Sequence, residues 1–259
     1  MIKEIAIDRK KASIQLPKDI QAKRKASEEA DLSLDVRKAL AEKVMIDKLM
    51  LGEKLTLLCG GNGSGKTTVI RSLSGNRDCT DIPKSLCVYE YRNSEDNYLN
   101  STTEHSLRGF DEQSIKMYAE YRNTHDMMHG MSEGEASVCS SEDAVSLIKE
   151  VNELRHQEGL VLLDELDSGL SIDKIRDLCS RMKKAMLTGM TCQVIMSFNS
   201  YEMYKCFKGF KSKSGEMLAK TISMYDGSEV CFSSYEEYCD WICENQSKYC
   251  KGRGKIMKE

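Results

Sequence analysis

One lysine, one threonine and two adjacent carboxylates carry most of the chemistry this sequence can do. Lys66 and Thr67 close the run Gly60-Gly61-Asn62-Gly63-Ser64-Gly65-Lys66-Thr67-Thr68. That run meets the phosphate-loop pattern G-x-x-x-x-G-K-[ST] at each fixed position. Its glycines permit a tight turn in which several residues take φ > 0. The consecutive N–H groups then face inward as an anion cradle at the start of a helix. Lys66 can reach β- and γ-phosphates, and the Thr67 hydroxyl can bind Mg²⁺. The expected ligands are therefore ATP and Mg²⁺, with Gly60, Asn62, Gly63, Ser64, Gly65, Lys66, Thr67 and Thr68 as the nucleotide-binding positions. The carboxylates are Asp164 and Glu165, which end the apolar run Leu160-Val161-Leu162-Leu163. This is a Walker B pattern. Asp164 can hold Mg²⁺ directly or through water. Glu165, one residue on, points away from Asp164 and can polarise an attacking water.

The spacing of apolar residues predicts the elements that must position these groups. Leu55–Cys59 reads as a buried strand leading into the loop, and Thr67–Leu73 as the start of the helix leaving it. Leu160–Leu163, with no alternation, suits a central parallel strand buried on both faces. Further strands are predicted around Ile2–Ile7, at Leu86–Tyr89, and at Cys192–Met196, which ends in Ser197-Phe198-Asn199. Helices are predicted over Leu34–Leu51, closed by Gly52, and over 111–128 and 133–157. Two more run from Ser171 to about Leu187, with Ile172, Ile175, Leu178, Met182 and Ala185 inward and Gly189 closing, and from Ser234 to about Lys248. Met217–Tyr225 and Val230–Phe232 suggest a late hairpin around Asp226-Gly227. Strands alternating with helices after residue 55 imply right-handed crossovers onto a mostly parallel sheet. Ligands of such sheets bind at the carboxyl ends of the strands. The predicted fold is α/β, a P-loop NTPase with a mostly parallel sheet flanked by helices, an antiparallel β edge and a C-terminal helix. One domain over residues 1–259 is expected, with 8–31 a solvated or basic contact segment and 251–259 a basic tail.

Composition narrows the class. The chain has 259 residues, enough for one large α/β domain, and a net charge of −3, which argues against a nucleic-acid coat without excluding a local basic patch. No apolar run approaches membrane-spanning length, and Met1-Ile2-Lys3-Glu4 opens no signal-peptide core, so a cytoplasmic protein is expected. The 11 cysteines form no C-x-x-C pair and read as reduced thiols. His125 and His129 stand one helical turn apart, a spacing two metal ligands could use, but no third ligand is evident and surface or core roles are the expectation.

With these residues in order, the chain resembles the ABC-type ATPase superfamily. Met131-Ser132-Glu133-Gly134-Glu135 looks like the signature motif in its S-x-G-E form, typical of the SMC and RecF branch. Asp164-Glu165-Leu166-Asp167-Ser168-Gly169-Leu170-Ser171 looks like the Walker B and D-loop run. Asn199 stands where the family's switch histidine is expected. The interval from Lys66 to Ser132 is too short for long coiled coils, so the resemblance is to a compact ATPase head. It covers about residues 50–200. It implies an ATP-dependent homodimer in which Ser132, Gly134 and Glu135 of one copy meet the γ-phosphate held by the other. Asp167 and Ser168 would lie at that interface. Taken alone, Ser132 reads as a helix cap. Asn199 cannot carry the positive charge of a protonated imidazole, which predicts slow hydrolysis. No glutamine stands at the end of the strand near residue 89, and Gln113 lies too far along to replace it.

Three functions follow from the resemblance. The first is a soluble, slow ATPase that dimerises on ATP and regulates a DNA or protein partner, with DNA transactions or phage–host defence as the settings its branch implies. The second is the nucleotide-binding subunit of an ABC transporter. The third is a nucleotide-sensing scaffold that does not hydrolyse.

Overall fold

The structure, a computed structural model, describes residues 1–9, 45–75, 80–83, 86–92, 133–153, 159–188 and 192–256. Five parallel strands form its main sheet: β3 (Leu55–Cys59), β4 (Cys87–Arg92), β5 (Gly159–Asp164), β6 (Cys192–Ser197) and β7 (Ala219–Ser223). Their order is β4-β5-β6-β3-β7. The strand before the phosphate loop is thus flanked by β6 and β7, and one strand separates it from the strand that ends in Asp164. A separate antiparallel pair, β1 (Glu4–Ala6) and β2 (Lys48–Met50), aligns Ile5 with Leu49. The helices are α1 (Lys66–Gly75), α2 (Glu133–Glu153), α3 (Ile172–Leu187), α4 (Tyr201–Phe207) and α5 (Tyr235–Ile256).

Alternation along the buried strands divides the core in two. Leu55, Leu57 and Cys59 of β3, Val161 and Leu163 of β5, and Val194 and Met196 of β6 face α2, α3 and α4. Leu58, Leu160, Leu162 and Ile195 face α1 and the β1–β2 pair. Both faces of the sheet are covered, so its strands carry apolar runs instead of a polar alternation. Each fully buried leucine or isoleucine contributes about 1.5–3 kcal/mol relative to exposure. That contribution holds strand ends rigid enough to aim side chains.

The parallel sheet, its flanking helices and the C-terminal helix agree with the sequence expectation. Some elements differ. The helix expected over Leu34–Leu51 is not helical from 45 onward. There Ile46, Leu49 and Leu51 are buried while Asp47, Lys48 and Met50 are exposed, and the segment pairs with β1 as a strand. The spacing of 46 and 49 fits a helix and a strand-plus-bend equally well, and only the distant partner β1 decides. The rest of that segment, and the helix expected over 111–128, lie outside the described residues. Ile172, expected inward, is 59% exposed at the start of α3. Ser171 bonds Asp173 Oδ1 at 2.6 Å and makes no side-chain cap to the helix. The turn at Asp226-Gly227 forms, with Gly227 at φ 76°, but its second arm contributes only one bridge, Ile222 to Glu229. The first arm joins the main sheet as β7, parallel to β3. The short helix α4 carries no long apolar stripe and was not foreseen. Helix α5 runs to Ile256, into the stretch read as a tail.

Candidate functional site

The carboxyl ends of β3, β5 and β6 meet at one pocket of about 510 Å³. Asn62, Gly63, Gly65, Lys66, Thr67 and Thr68 line one side, and Glu165 and Asn199 the other. The size suits a nucleotide-scale ligand. Gly63 and Gly65 take φ of 79° and 95°, the left-handed region in which a Cβ is strained. Those two reversals, with Ser64 N–H donating to Gly61 O at 3.1 Å, curl the loop so that α1 starts at Lys66. The first peptide groups of α1 therefore face the pocket, with their N–H dipoles unpaired by the helix. Gly60 and Ser64 are buried beneath the loop, behind the pocket wall.

Lys66 is 4% exposed. Its Nζ donates to Gly60 O at 2.7 Å and Gly61 O at 3.3 Å. Burial pushes the ammonium below the ordinary lysine range, and the nearby Glu165, Asp164 and Asp167 carboxylates oppose that shift. The ammonium is the positive group of the pocket wall that can meet a phosphate oxygen, and the three carboxylates offset it unless a divalent cation joins them. Burial also pushes the neighbouring Cys59 thiol up to about 12, so it stays neutral under the loop.

Thr67 Oγ1 donates to Asp164 Oδ1 at 3.3 Å. The hydroxyl leaving the loop and the carboxylate ending β5 thus converge, although 97 residues separate them. Both donors are hard oxygens, and they fit the protein half of a Mg²⁺ site whose remaining ligands are phosphate oxygens and water. Among the described residues no cluster of three or more His, Cys, Asp or Glu is placed to hold a metal by itself.

Glu165 has φ 54°, the only non-glycine residue with positive φ among the described residues. Backbone strain of this kind persists only where the surroundings enforce it. Here Ser197 does so. Its Oγ accepts the Glu165 N–H at 2.9 Å and donates to Asp164 Oδ1. One fully buried hydroxyl on β6 therefore fixes Asp164 at the end of β5 and Glu165 just beyond it, with Glu165 lining the pocket. The sequence reading reached Ser197 as part of a strand end and gave it no role. Its signal was a buried serine ending one strand, where the companion strand runs out into two acids.

Asp167 points inward. It is 6% exposed, and Oδ2 accepts the N–H groups of Asn199 and Ser200. Burial pushes its carboxyl up, and the two N–H donors oppose the shift. The resemblance implies that Asp167 and Ser168 lie at a subunit interface; within one copy Asp167 ties the turn after β5 to the end of β6, while Ser168 and Gly169 are exposed. Asn199 is exposed at the pocket rim, its backbone held by Asp167 and by Tyr238 Oη–H, which donates to its carbonyl at 3.4 Å.

Ser132, His125, His129 and Gln113 lie outside the described residues. Gly134 and Glu135 fall in the first turn of α2, which begins at Glu133. Cys59, Cys87, Cys179, Cys192, Cys206, Cys231, Cys239 and Cys243 are free thiols, as the sequence suggested. Among the described residues no helix is long and apolar enough to cross a membrane.

No protein-family model matches the sequence, and no curated protein sequence matches it. Solved structures do resemble the fold. The ATP-binding subunit of an ABC transporter shares 13% identity over 77% of this chain and 93% of its own, with a TM-score of 0.44. A nucleotide-free ATP-binding cassette from an ABC transporter shares 12% over 76% and 87%, with a TM-score of 0.38. The cbiO1 protein of Clostridium perfringens, part of the ABC transporter complex cbiONQ, shares 13% over 82% and 89%, with a TM-score of 0.40. At these identities and TM-scores the likeness carries no functional argument. The P-loop fold stands on the strand order and on the loop itself.

Proposed function

We propose that this protein is a slow ABC-type ATPase that works as a single ATPase domain, closes into a homodimer on ATP and uses that cycle to regulate a partner. The observation that supports this most is the convergence of Lys66, Thr67, Asp164, Glu165 and Asn199 on one pocket, with Glu165 held in a strained conformation by Ser197.

The steps fall to identifiable groups. The N–H groups of Gly63 and of Gly65 to Thr68, with the Lys66 ammonium, hold the β- and γ-phosphates. Thr67 and Asp164 would hold Mg²⁺, which would supply charge neutralisation at the phosphates. Glu165 sits across the pocket from the loop, where its carboxylate accepts a hydrogen bond from the attacking water and orients it in line. Asn199 donates from the rim as a neutral group. It supplies less transition-state stabilisation than a cation would, hence slow turnover. In the dimer, Ser132, together with Gly134 and Glu135 in the first turn of α2, approaches the γ-phosphate of the opposite copy, where a helix N-terminus favours negative charge. The partner is a protein or a DNA. DNA-stimulated phosphate release with a steep salt dependence would favour DNA.

Sizing the Glu165→Gln variant by gel filtration with and without Mg–ATP tests the reading. A monomer without nucleotide and a dimer with it are expected, because binding is retained and water activation lost. A variant that binds Mg–ATP and remains monomeric would remove the dimer cycle. Phosphate release at the wild-type rate would remove Glu165 from the chemistry.

A further inference from the structure

The geometry points to Tyr225 and Gln246 as positioning residues of the phosphate loop, a tether through which helix α5 sets the loop for nucleotide. This rests on reading Gly60–Thr68 as an ATP site. The Gly61 N–H donates to Tyr225 Oη at 2.9 Å. Tyr225 Oη–H donates to Gln246 Oε1 at 2.8 Å. Gln246 Nε2 donates to Asn62 O at 2.9 Å. The relay begins and ends on consecutive loop residues and leaves the cradle from Gly63 onward facing the pocket. It also completes the polar inventory of the loop base. Gly61 O receives Ser64 N–H and Lys66 Nζ, Gly60 O receives Lys66 Nζ, and the tether takes Gly61 N–H and Asn62 O.

The fit is close on the loop side. A Cβ on Gly61 would lie 2.7 Å from Gln246 Oε1 and 3.1 Å from Tyr225 Oη, so a side chain there would displace the tether. The helix itself is pinned by aromatic edges. The Tyr225 and Trp241 ring centroids are 5.4 Å apart at 62°, and those of Phe232 and Trp241 are 5.3 Å apart at 59°. One helix therefore touches both walls of the pocket, the loop through Gln246 and the Asn199 strand end through Tyr238. Preorganising a loop that must present several N–H groups at once lowers the entropy lost on binding.

Titration of the full-length protein with a fluorescent ATP analogue and Mg²⁺ tests the tether. Gln246→Ala and Tyr225→Phe are each expected to weaken binding roughly five- to tenfold, the worth of one or two hydrogen bonds. The double variant is expected to be little worse than either single one, because the two side chains form one relay. Backbone hydrogen exchange in α5 is expected to slow when wild type binds Mg–ATP and to be insensitive to it in Tyr225→Phe, which a merely structural role would not produce. If Gln246→Ala fails to fold, Gln246→Glu keeps the acceptor for Tyr225 and loses the donor to Asn62, and it too should bind more weakly. Wild-type binding matched by all these variants overturns the tether and leaves the ATP site standing. A wild type that binds no Mg–ATP overturns both.

Discussion

Replacing Ser197 by alanine should separate binding from catalysis. The hydroxyl is fully buried and makes two bonds, one to Asp164 Oδ1 and one from the Glu165 N–H. Losing a hydrogen bond to a charged group costs about 1.5–3 kcal/mol, and a stranded N–H adds about 1 kcal/mol. Relaxation of Glu165 out of φ 54° returns about 1–2 kcal/mol. The net loss is then about 2 kcal/mol, or roughly 4–8 °C in Tm for a chain of this size. The larger effect is on chemistry. With its N–H released, Glu165 leaves the left-handed region and its carboxylate swings off the line of attack. Displacement of a catalytic group by about 1 Å lowers rates on the order of 100-fold. The Lys66 and cradle contacts are untouched, so Mg–ATP affinity should stay near wild type. Thermal melts, a nucleotide titration and single-turnover phosphate release measure the three quantities. A lowered Tm with unchanged phosphate release would show that Ser197 only packs, and the argument from backbone strain would fail.

The remaining predictions concern charge and loop shape. Lys66→Met should abolish Mg–ATP binding without lowering the Tm of the nucleotide-free protein, because the buried ammonium is held below its ordinary range. The folded state disfavours that charge, so any advantage of the variant is full while the folded lysine is still protonated and fades as pH rises toward 10.5, where the unfolded lysine also loses its proton. Asn199→His should raise steady-state turnover with affinity unchanged; equal turnover would remove Asn199 as the cause of slowness. Asp143 on α2 is pushed up to about 6 by burial and by Glu142. Its charge therefore disfavours the fold above that pH, and Asp143→Asn should raise Tm at pH 8 and converge with wild type below pH 3.8 in a pH series of melts. Gly60→Ala would set a Cβ 2.4 Å from Ser64 Oγ and 3.1 Å from Met224 Cβ. Loss of nucleotide binding is expected, read by the same titration.

What the sequence shows most clearly is what chemistry constrains locally. The phosphate loop needs Gly63 and Gly65 at positive φ and Lys66 and Thr67 at the helix start, all within one short run. Asp164 and Glu165 are visible because an unbroken apolar strand ending in acids is informative after such a loop. The features that escaped are set by distance. Ser197 acts on residues 32 and 33 positions away, and Tyr225 and Gln246 act on loop residues 164 and 184 positions away. No local pattern encodes which hydroxyl or amide will arrive. Strand β2 escaped for the same reason, since Ile46, Leu49 and Leu51 have no periodicity that excludes a helix until β1 is beside them.

The pairing of β3 bears on how the protein is made. Both neighbours of this strand in the main sheet, β6 and β7, lie more than 130 residues further along the chain. In a chain growing at about 5–20 residues per second, the apolar run Leu55–Cys59 waits on the order of ten seconds for its first parallel partner. Such long-range parallel pairing folds slowly and leaves an unpaired strand exposed to wrong partners. The phosphate loop is therefore a late product of synthesis, although it is encoded early. If α5 sets the loop as proposed, competence to hold a nucleotide would arrive only with that helix, and occupancy of the site would report that the sheet has closed in the correct order.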